Sequence, residues 1–385
     1  MRELVISIYL LGFKILFTLF KIFPLKRKVT FLISFPDNPM FIYKALQKQK
    51  IEIQNVFLCN NRCFDEFKKI SRFTYLVESK NFIHTIIGIY HLATSKQLIV
   101  DNYYGFLAVT KFKKGVKCTQ IWHSAGAIKQ FGVEDPTNVI RTPAALRRFK
   151  KVYEKFNQFA VGSDFMGDIF KKAYLVKNGV FLKTGVPRTD FFFDEMKHDQ
   201  VKMSLYKKNS LFESRKIILY APTFRRYENN NSKINLELKK MHEELGDKYI
   251  LLIKLHPAII LELDLSNEFQ DFVFDYSSYP DINELLVITD ILITDYSSIP
   301  MEFVLFKRKM IFYAYDLEEY ENDNGLWEDY ETSVPGPVVK NTDDIIDAIL
   351  NKESNLQQLE AYAKKWVEYC DGHASEKLVN ELFGN

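Results

Sequence analysis

The chain's 385 residues are enough for two ordinary domains, and 47% apolar against 26% charged residues excludes a disordered protein. A net charge of +3 with no long basic run excludes nucleic acid as the partner that organises the protein. Four scattered cysteines, Cys59, Cys63, Cys118 and Cys370, contain one CxxxC pair and no second pair to complete a zinc site, so they read as buried reduced thiols and no metal centre is expected.

The first predicted element is helical. "LVISIYLLGFKILFTLFKIF", Leu4 to Phe23, has the length of a membrane span. No small-residue cleavage site follows it, which argues against a signal peptide. Ser7, Lys14, Thr18 and Lys21 fall on one helical face at spacings of seven, four and three, and the rest is apolar. The pattern suits an amphipathic helix in the membrane interface, its lysines toward anionic headgroups and reinforced by Lys26, Arg27 and Lys28. It also suits a helix packed on the protein's own core. Lys14 at its centre disfavours a transmembrane span.

Short apolar runs then alternate with helical patterns. Predicted strands are 29–35, 55–59, 97–103, 118–123, 159–163 and 180–185, followed by a second series at 216–223, 249–256, 272–276, 291–296 and 310–315. Continuous apolar strands separated by helices predict parallel sheets covered on both faces, and two series predict two Rossmann-like domains. The domains are placed at 29–186 and 187–352, joined near "TGVPRTDFFF", after a membrane-associating segment 1–28. Helices in 353–385 follow the second sheet and are expected to cross back to the first domain.

In open α/β sheets ligands bind beyond the carboxyl ends of strands, and polar residues close several of these runs. "QIWHSAGAIKQFG" places His123 after an apolar run, followed by Ser124, Ala125 and Gly126, small enough to let a substrate approach the backbone. "LLIKLHPAI" sets Lys254 and His256 on one side of a strand, a cationic pair suited to phosphate oxygens. "ILYAPTFRR" ends in Pro222 and Thr223 with Arg225 and Arg226 beyond, and "GVPRTD" adds Arg188; an arginine of this set could clamp a diphosphate or simply be solvated. "TDYSSIPMEF" reads as strand, turn and helix, with Ser297 or Ser298 as N-cap and Pro300 in the first turn. Two hydroxyls and free N–H groups there would make an anion site. GxGxxG, Walker and strand-end DxD elements are absent from the sequence.

The order and spacing of "WHSAG", "GVPRTDFFF", "ILYAPTFRR", "KLHP", "DINELLVITDILITDYSSIPMEF", "KRKMIFYAYDLEEY" and "GLWEDYE" resemble the CDP-glycerol glycerophosphotransferase family of wall teichoic acid synthesis. The resemblance implies a glycosyltransferase-B-type α/β fold, two Rossmann-like domains facing a central cleft, with the acceptor side first and the CDP-glycerol donor side second. It implies a peripheral enzyme on the cytoplasmic face of a Gram-positive plasma membrane. Such an enzyme moves glycerol phosphate, or ribitol phosphate, from a CDP-activated donor to a polyprenyl-diphosphate-linked acceptor and releases CMP. No tightly bound cofactor is implied, a divalent ion is left open, and other teichoic acid enzymes are conceivable partners.

Carried over by motif, the catalytic residues would be His123 and His256. Donor contacts would come from Trp122, Ser124, Ala125, Gly126, Arg188, Pro222, Thr223, Lys254, Leu255, Ser297, Ser298 and Glu302. Three departures stand out: "WHSAG" where the family's polymerases usually read WHGTP, Lys254 where they have Arg, and Glu302 where Asp is common. "WHSAGAIKQFG" looks like the primase branch, which adds the first glycerol phosphate to a lipid-linked disaccharide. A glycerol- or ribitol-phosphate polymerase is the alternative. A nucleotide-sugar glycosyltransferase of the same fold and a non-enzymatic membrane scaffold are the more distant ones.

Overall fold

Six consecutive buried residues, Lys28 to Ile33, show why the first strand is interior: both of its faces are covered, as in a parallel sheet sandwiched by helices. The computed structural model describes residues 2–225, 234–255 and 269–384. They fall into two units, one of residues 2–125, 130–190 and 367–384, the other of 126–129 and the described part of 191–366.

The first unit is built on β1 (Lys26–Ile33), β2 (Gln54–Cys59), β3 (Thr74–Leu76), β4 (Ser95–Val100), β5 (Lys117–Gln120), β6 (Gln158–Ala160) and β7 (Val180–Leu182). All pair in parallel, in the order β3-β2-β1-β4-β5-β6-β7. Strand order reverses between β1 and β4, which makes their carboxyl ends the crevice where such sheets bind ligands. Side-chain caps start several covering helices: Asn60 accepts from the Cys63 N–H, and Ser163 from the Met166 N–H. The core around Phe31, Phe57 and Ile99 is completed by Leu378, Val379 and Leu382 of helix Ala374–Phe383. Helix Leu356–Val367 belongs to the second unit up to Trp366.

The second unit carries β8 (Lys216–Ala221), β9 (Tyr249–Ile253), β10 (Val273–Asp275), β11 (Ile291–Thr294), β12 (Lys309–Tyr313) and β13 (Val338–Val339). These are again all parallel, in the order β10-β9-β8-β11-β12-β13, with the reversal between β8 and β11. Two short edge strands, β3 and β13, were not predicted; runs of three and two residues show no period in the sequence.

The N-terminal helix, Arg2–Phe20, docks one face and exposes another. Leu10, Phe13 and Phe17 are buried, with Phe13 stacked on Phe106 at 4.8 Å and Phe17 edge-on to Phe112. Leu4, Ile8, Leu11, Ile15 and Leu19 stay exposed, as does Lys14. The helix therefore packs one face on the protein's own core and leaves an apolar face exposed. The basic stretch needs correction. Lys26 and Arg27 are exposed at the start of β1, but Lys28 is buried inside the sheet. Its Nζ lies 2.6 Å from Thr94 Oγ1 and 2.9 Å from His91 Nδ1, and 4.7 Å from the Tyr90 ring centroid. Burial, with Lys26 nearby, lowers its pKa to about 7, so Lys28 is not a headgroup ligand.

Candidate functional site

At the switch point of the first sheet, β1 runs into Ser34 and Phe35 and β4 into Asp101, while β5 stops at Gln120 short of the predicted His123. The early stop has a backbone cause. Trp122 adopts φ +55°, and its N–H is taken by the Gln120 side chain at 2.9 Å, so the ladder cannot continue. His123 follows on this turn, half-buried between two rings, with the Phe35 centroid at 4.5 Å and the Trp122 centroid at 4.2 Å.

The protonation of His123 follows from its partners. Its Nδ1 lies 3.2 Å from the Asp101 carbonyl oxygen. A carbonyl can only accept, so Nδ1 carries the proton and Nε2 the lone pair. Burial lowers the imidazole pKa to about 4; the Asp101 carbonyl opposes that shift and the Arg188 charge adds to it. The ring is therefore neutral at physiological pH and basic at Nε2.

Asp101 is the residue the sequence reading missed. Its carboxylate accepts from the Ser34 N–H at 2.7 Å, the Phe35 N–H at 2.8 Å and the Tyr104 hydroxyl at 3.1 Å. It thus holds the turn that carries Phe35, while its own carbonyl holds His123. Burial outweighs these donors and pushes its carboxyl up to about 7. Arg188 closes the arrangement: Nη1 donates to the His123 carbonyl at 3.0 Å and pairs with Asp37 at 3.0 Å, and its N–H donates to Asn38 at 2.8 Å. Asn38 in turn donates to the Trp122 carbonyl at 3.0 Å.

In the second unit the equivalent strand ends form a buried ionic cluster. Asp295, just past β11, accepts from the Thr223 N–H at 2.8 Å and the Thr223 hydroxyl at 2.5 Å. Arg225 donates to Asp295 at 2.8 Å and to Asp316 at 2.5 Å from Nε, and to the Thr223 carbonyl at 2.7 Å. Its guanidinium sits 5.0 Å from the Tyr296 ring centroid and 5.1 Å from that of Tyr320. Burial works against its charge, but Asp295 and Asp316 hold its pKa above the ordinary value. Arg225 is therefore a scaffold residue, neither a diphosphate clamp nor solvated.

Several predicted donor contacts take other roles. Both donors of Thr223 are directed to Asp295, and half-buried Pro222 precedes it. Ala125 is fully buried, and a Cβ on Gly126 would lie 2.5 Å from Met301 Sδ and from Trp366, so these small residues serve packing and not substrate approach. Leu255 lies in the second core, with its N–H on Ser277 Oγ. Glu302 is buried within helix Ile299–Phe303. That helix has five residues, too short for a substantial dipole; Ser298 at its cap makes no side-chain capping bond, and Ser297 Oγ accepts from the Ile299 N–H at 3.1 Å. Lys254, just past β9, donates from Nζ to the Ser277 carbonyl at 2.6 Å, and burial lowers its pKa. Ser124 is half-buried after His123. His256 and Arg226 lie outside the described residues. Among the described residues no group of three His, Cys, Asp or Glu side chains could hold a metal ion.

Residues 15–384 match the family model of CDP-glycerol:poly(glycerophosphate) glycerophosphotransferases. The chain is 35% identical over 356 residues to a teichoic acid glycerol-phosphate primase of Bacillus subtilis (strain 168), covering 92% of this chain and 91% of that one. It is 33% identical over 373 residues to a protein of the same description from Bacillus spizizenii, covering 97% and 96%. The solved structure of a histidine-to-asparagine variant of the wall teichoic acid polymerase TagF shares the fold, with a TM-score of 0.77 at 21% identity over 98% of this chain and 94% of that one.

Proposed function

The chain belongs to the CDP-glycerol:poly(glycerophosphate) glycerophosphotransferase family and is a transferase of teichoic acid synthesis; from that premise we propose that it performs the primase step. It transfers one glycerol phosphate from CDP-glycerol to a hydroxyl of a polyprenyl-diphosphate-linked disaccharide. The acceptor oxygen attacks the β-phosphorus in line, the bond from that phosphorus to the bridging oxygen breaks, and CMP leaves with the electron pair. The acceptor proton passes to His123 Nε2.

The observation that carries this reading is the state of His123: neutral, with Nδ1–H committed to the Asp101 carbonyl and Nε2 basic. A base of this kind typically contributes ~10²–10⁴ in rate. Arg188, held against the His123 carbonyl, supplies positive charge beside it for the phosphoryl oxygens. Lys254, Ser297 and Ser298 of the second unit, with His256 by its sequence motif alone, are the candidates for the donor's diphosphate.

The test is mass spectrometry of a synthetic disaccharide-diphospholipid acceptor after incubation with CDP-glycerol or CDP-ribitol. One added glycerol phosphate with one CMP released is expected. A ladder of products would mark a polymerase, transfer from CDP-ribitol alone would change the donor, and no CMP release would overturn the reading.

The same reading places the protein peripherally on the cytoplasmic face of the plasma membrane. The helix Arg2–Phe20 is long and apolar enough to cross a bilayer. However, Phe13 and Phe17 commit one face to the protein, which favours a helix lying in the interface with Leu4, Ile8, Leu11, Ile15 and Leu19 outward. Ile8→Gln/Ile15→Gln tests this by vesicle cosedimentation. A deletion of residues 1–28 would remove the start of β1 as well.

A further inference from the structure

The two most exposed large apolar side chains among the described residues lie away from the N-terminal helix. They are Val139, 89% exposed, and Ile140, 85% exposed. Both sit on a single 3₁₀ turn, Pro136–Ile140, in the connection that begins at His123 and leads to helix Pro143–Tyr153.

Their exposure is built in. Asp135 caps the turn through the Thr137 N–H at 2.9 Å and hydroxyl at 2.7 Å. Asn138 donates to the carbonyls of Gly132 at 2.9 Å and Val133 at 3.1 Å, and Arg141 donates to the Thr137 hydroxyl at 3.2 Å. The polar side chains of the turn bond to one another and to the preceding loop, and Val139 and Ile140 are left facing outward.

Two further observations identify what covers these side chains. From Pro136 to Lys151 the sequence contains five cations, Arg141, Arg147, Arg148, Lys150 and Lys151, and no acid. Arg147, Lys150 and Lys151 are exposed. The turn is also tethered to the N-terminal helix. Two residues past Ile140, the Thr142 hydroxyl meets the Glu3 carboxylate at 3.3 Å, and Arg148 binds it twice, at 2.7 and 3.1 Å. An apolar tip followed by a helix with three exposed cations, Arg147, Lys150 and Lys151, matches the acyl boundary and anionic headgroups of a bilayer leaflet.

We propose that Val139 and Ile140 form a wedge that inserts into an anionic membrane as a second contact beside the N-terminal helix. The proposal rests on the peripheral-membrane reading above but draws on different residues. Because one connection carries both His123 and the wedge, docking would set the catalytic histidine at a fixed depth relative to a lipid-linked acceptor.

The test uses the full chain with vesicles of phosphatidylcholine alone or mixed equally with phosphatidylglycerol. Val139→Ser/Ile140→Ser should partition about tenfold more weakly onto mixed vesicles, from the lost apolar burial of two side chains. Its thermal midpoint should match the parent, because both side chains are solvent-facing. Arg147→Gln/Lys150→Gln/Lys151→Gln should lose the preference for phosphatidylglycerol. Turnover of the wedge variant should fall with vesicle-embedded acceptor and stay unchanged with a short-chain soluble acceptor. Binding within twofold of the parent would overturn the wedge, as would a loss of self-association with vesicle binding intact. Ile8→Gln/Ile15→Gln run in parallel separates the two readings: full binding by that variant alone removes the helix as an anchor and leaves the wedge standing.

Discussion

The strand ends at the two switch points occupy the same place in two similar parallel sheets, yet their polar residues do opposite things. In the first unit, Asp101 and Arg188 surround a single imidazole and leave it neutral and half-exposed. In the second, Arg225 is held between Asp295 and Asp316 in a buried cluster that ties the loops after β8, β11 and β12 together. A polar residue closing an apolar strand thus has two fates, and its partners decide between them. Where hydrogen bonds leave a lone pair or charge uncommitted, chemistry is possible. Where the donors are taken up by carboxylates and a carbonyl of the fold, the residue is scaffold.

The largest expected effect would come from breaking the scaffold side. Arg225→Ala leaves Asp295 and Asp316 buried without their cation and should cost about 3–5 kcal/mol of stability, read by denaturant unfolding. A loss below about 1 kcal/mol would show that the cluster is not structural. On the chemical side, His123→Ala should reduce turnover by ~10²–10⁴ with near-parental unfolding, the reverse pattern. A rate within tenfold of the parent would remove His123 as the base.

Gly126→Ala should fall between these. Its new methyl meets Met301 and Trp366, a cost of about 1–3 kcal/mol typical of overpacking; unchanged stability would return Gly126 to the list of candidate substrate contacts.

The subtlest test is pH. His123 is held near pKa 4, so kcat/KM should fall only as pH drops through about 4, well below the ordinary histidine value of about 6.5. The same depression means that the unfolded state binds a proton that the folded state refuses between about 6.5 and 4. The His123 contribution to stability should therefore decline as pH falls through that window, while Asp101, with its raised pKa, contributes in the opposite direction; the difference between the parent and His123→Asn isolates the histidine's part. An acid limb near 6.5 would show that the ring is not caged as described.

Much of the fold was legible because continuous apolar runs are unambiguous. All eleven predicted strands occur. Most of their ends were set too far along, that of β2 excepted, and the reasons are local. At β5 the left-handed Trp122 stops the ladder, a conformation that nothing in "QIWH" announces. At β9 the ladder stops at Ile253, short of the predicted His256. In the site, His123 could be found from its place after an apolar strand. Asp101 carried the same signal in "LIVDNY" but was read as strand interior. The pairings Thr223 with Asp295 and Arg225 with Asp316 join residues 72 and 91 apart, and no local pattern encodes them. Lys28 is the instructive error: three cations in a row read as a surface, yet from the third onward β1 is covered on both faces, and Lys28 is absorbed by Thr94 and His91.

The core of the first unit is finished by Leu378, Val379 and Leu382, contributed by a helix nearly two hundred residues after that unit's last strand. On the ribosome, the first seven strands are made long before that helix exists. Until residues 374–383 emerge, the faces of Phe31, Phe57 and Ile99 lack part of their cover, and the growing chain must be protected or stay loosely collapsed. The unit that carries His123 is thus the first to be synthesised and the last to be sealed, and the first half alone should not be recoverable as a stable fragment by cutting the gene at the join.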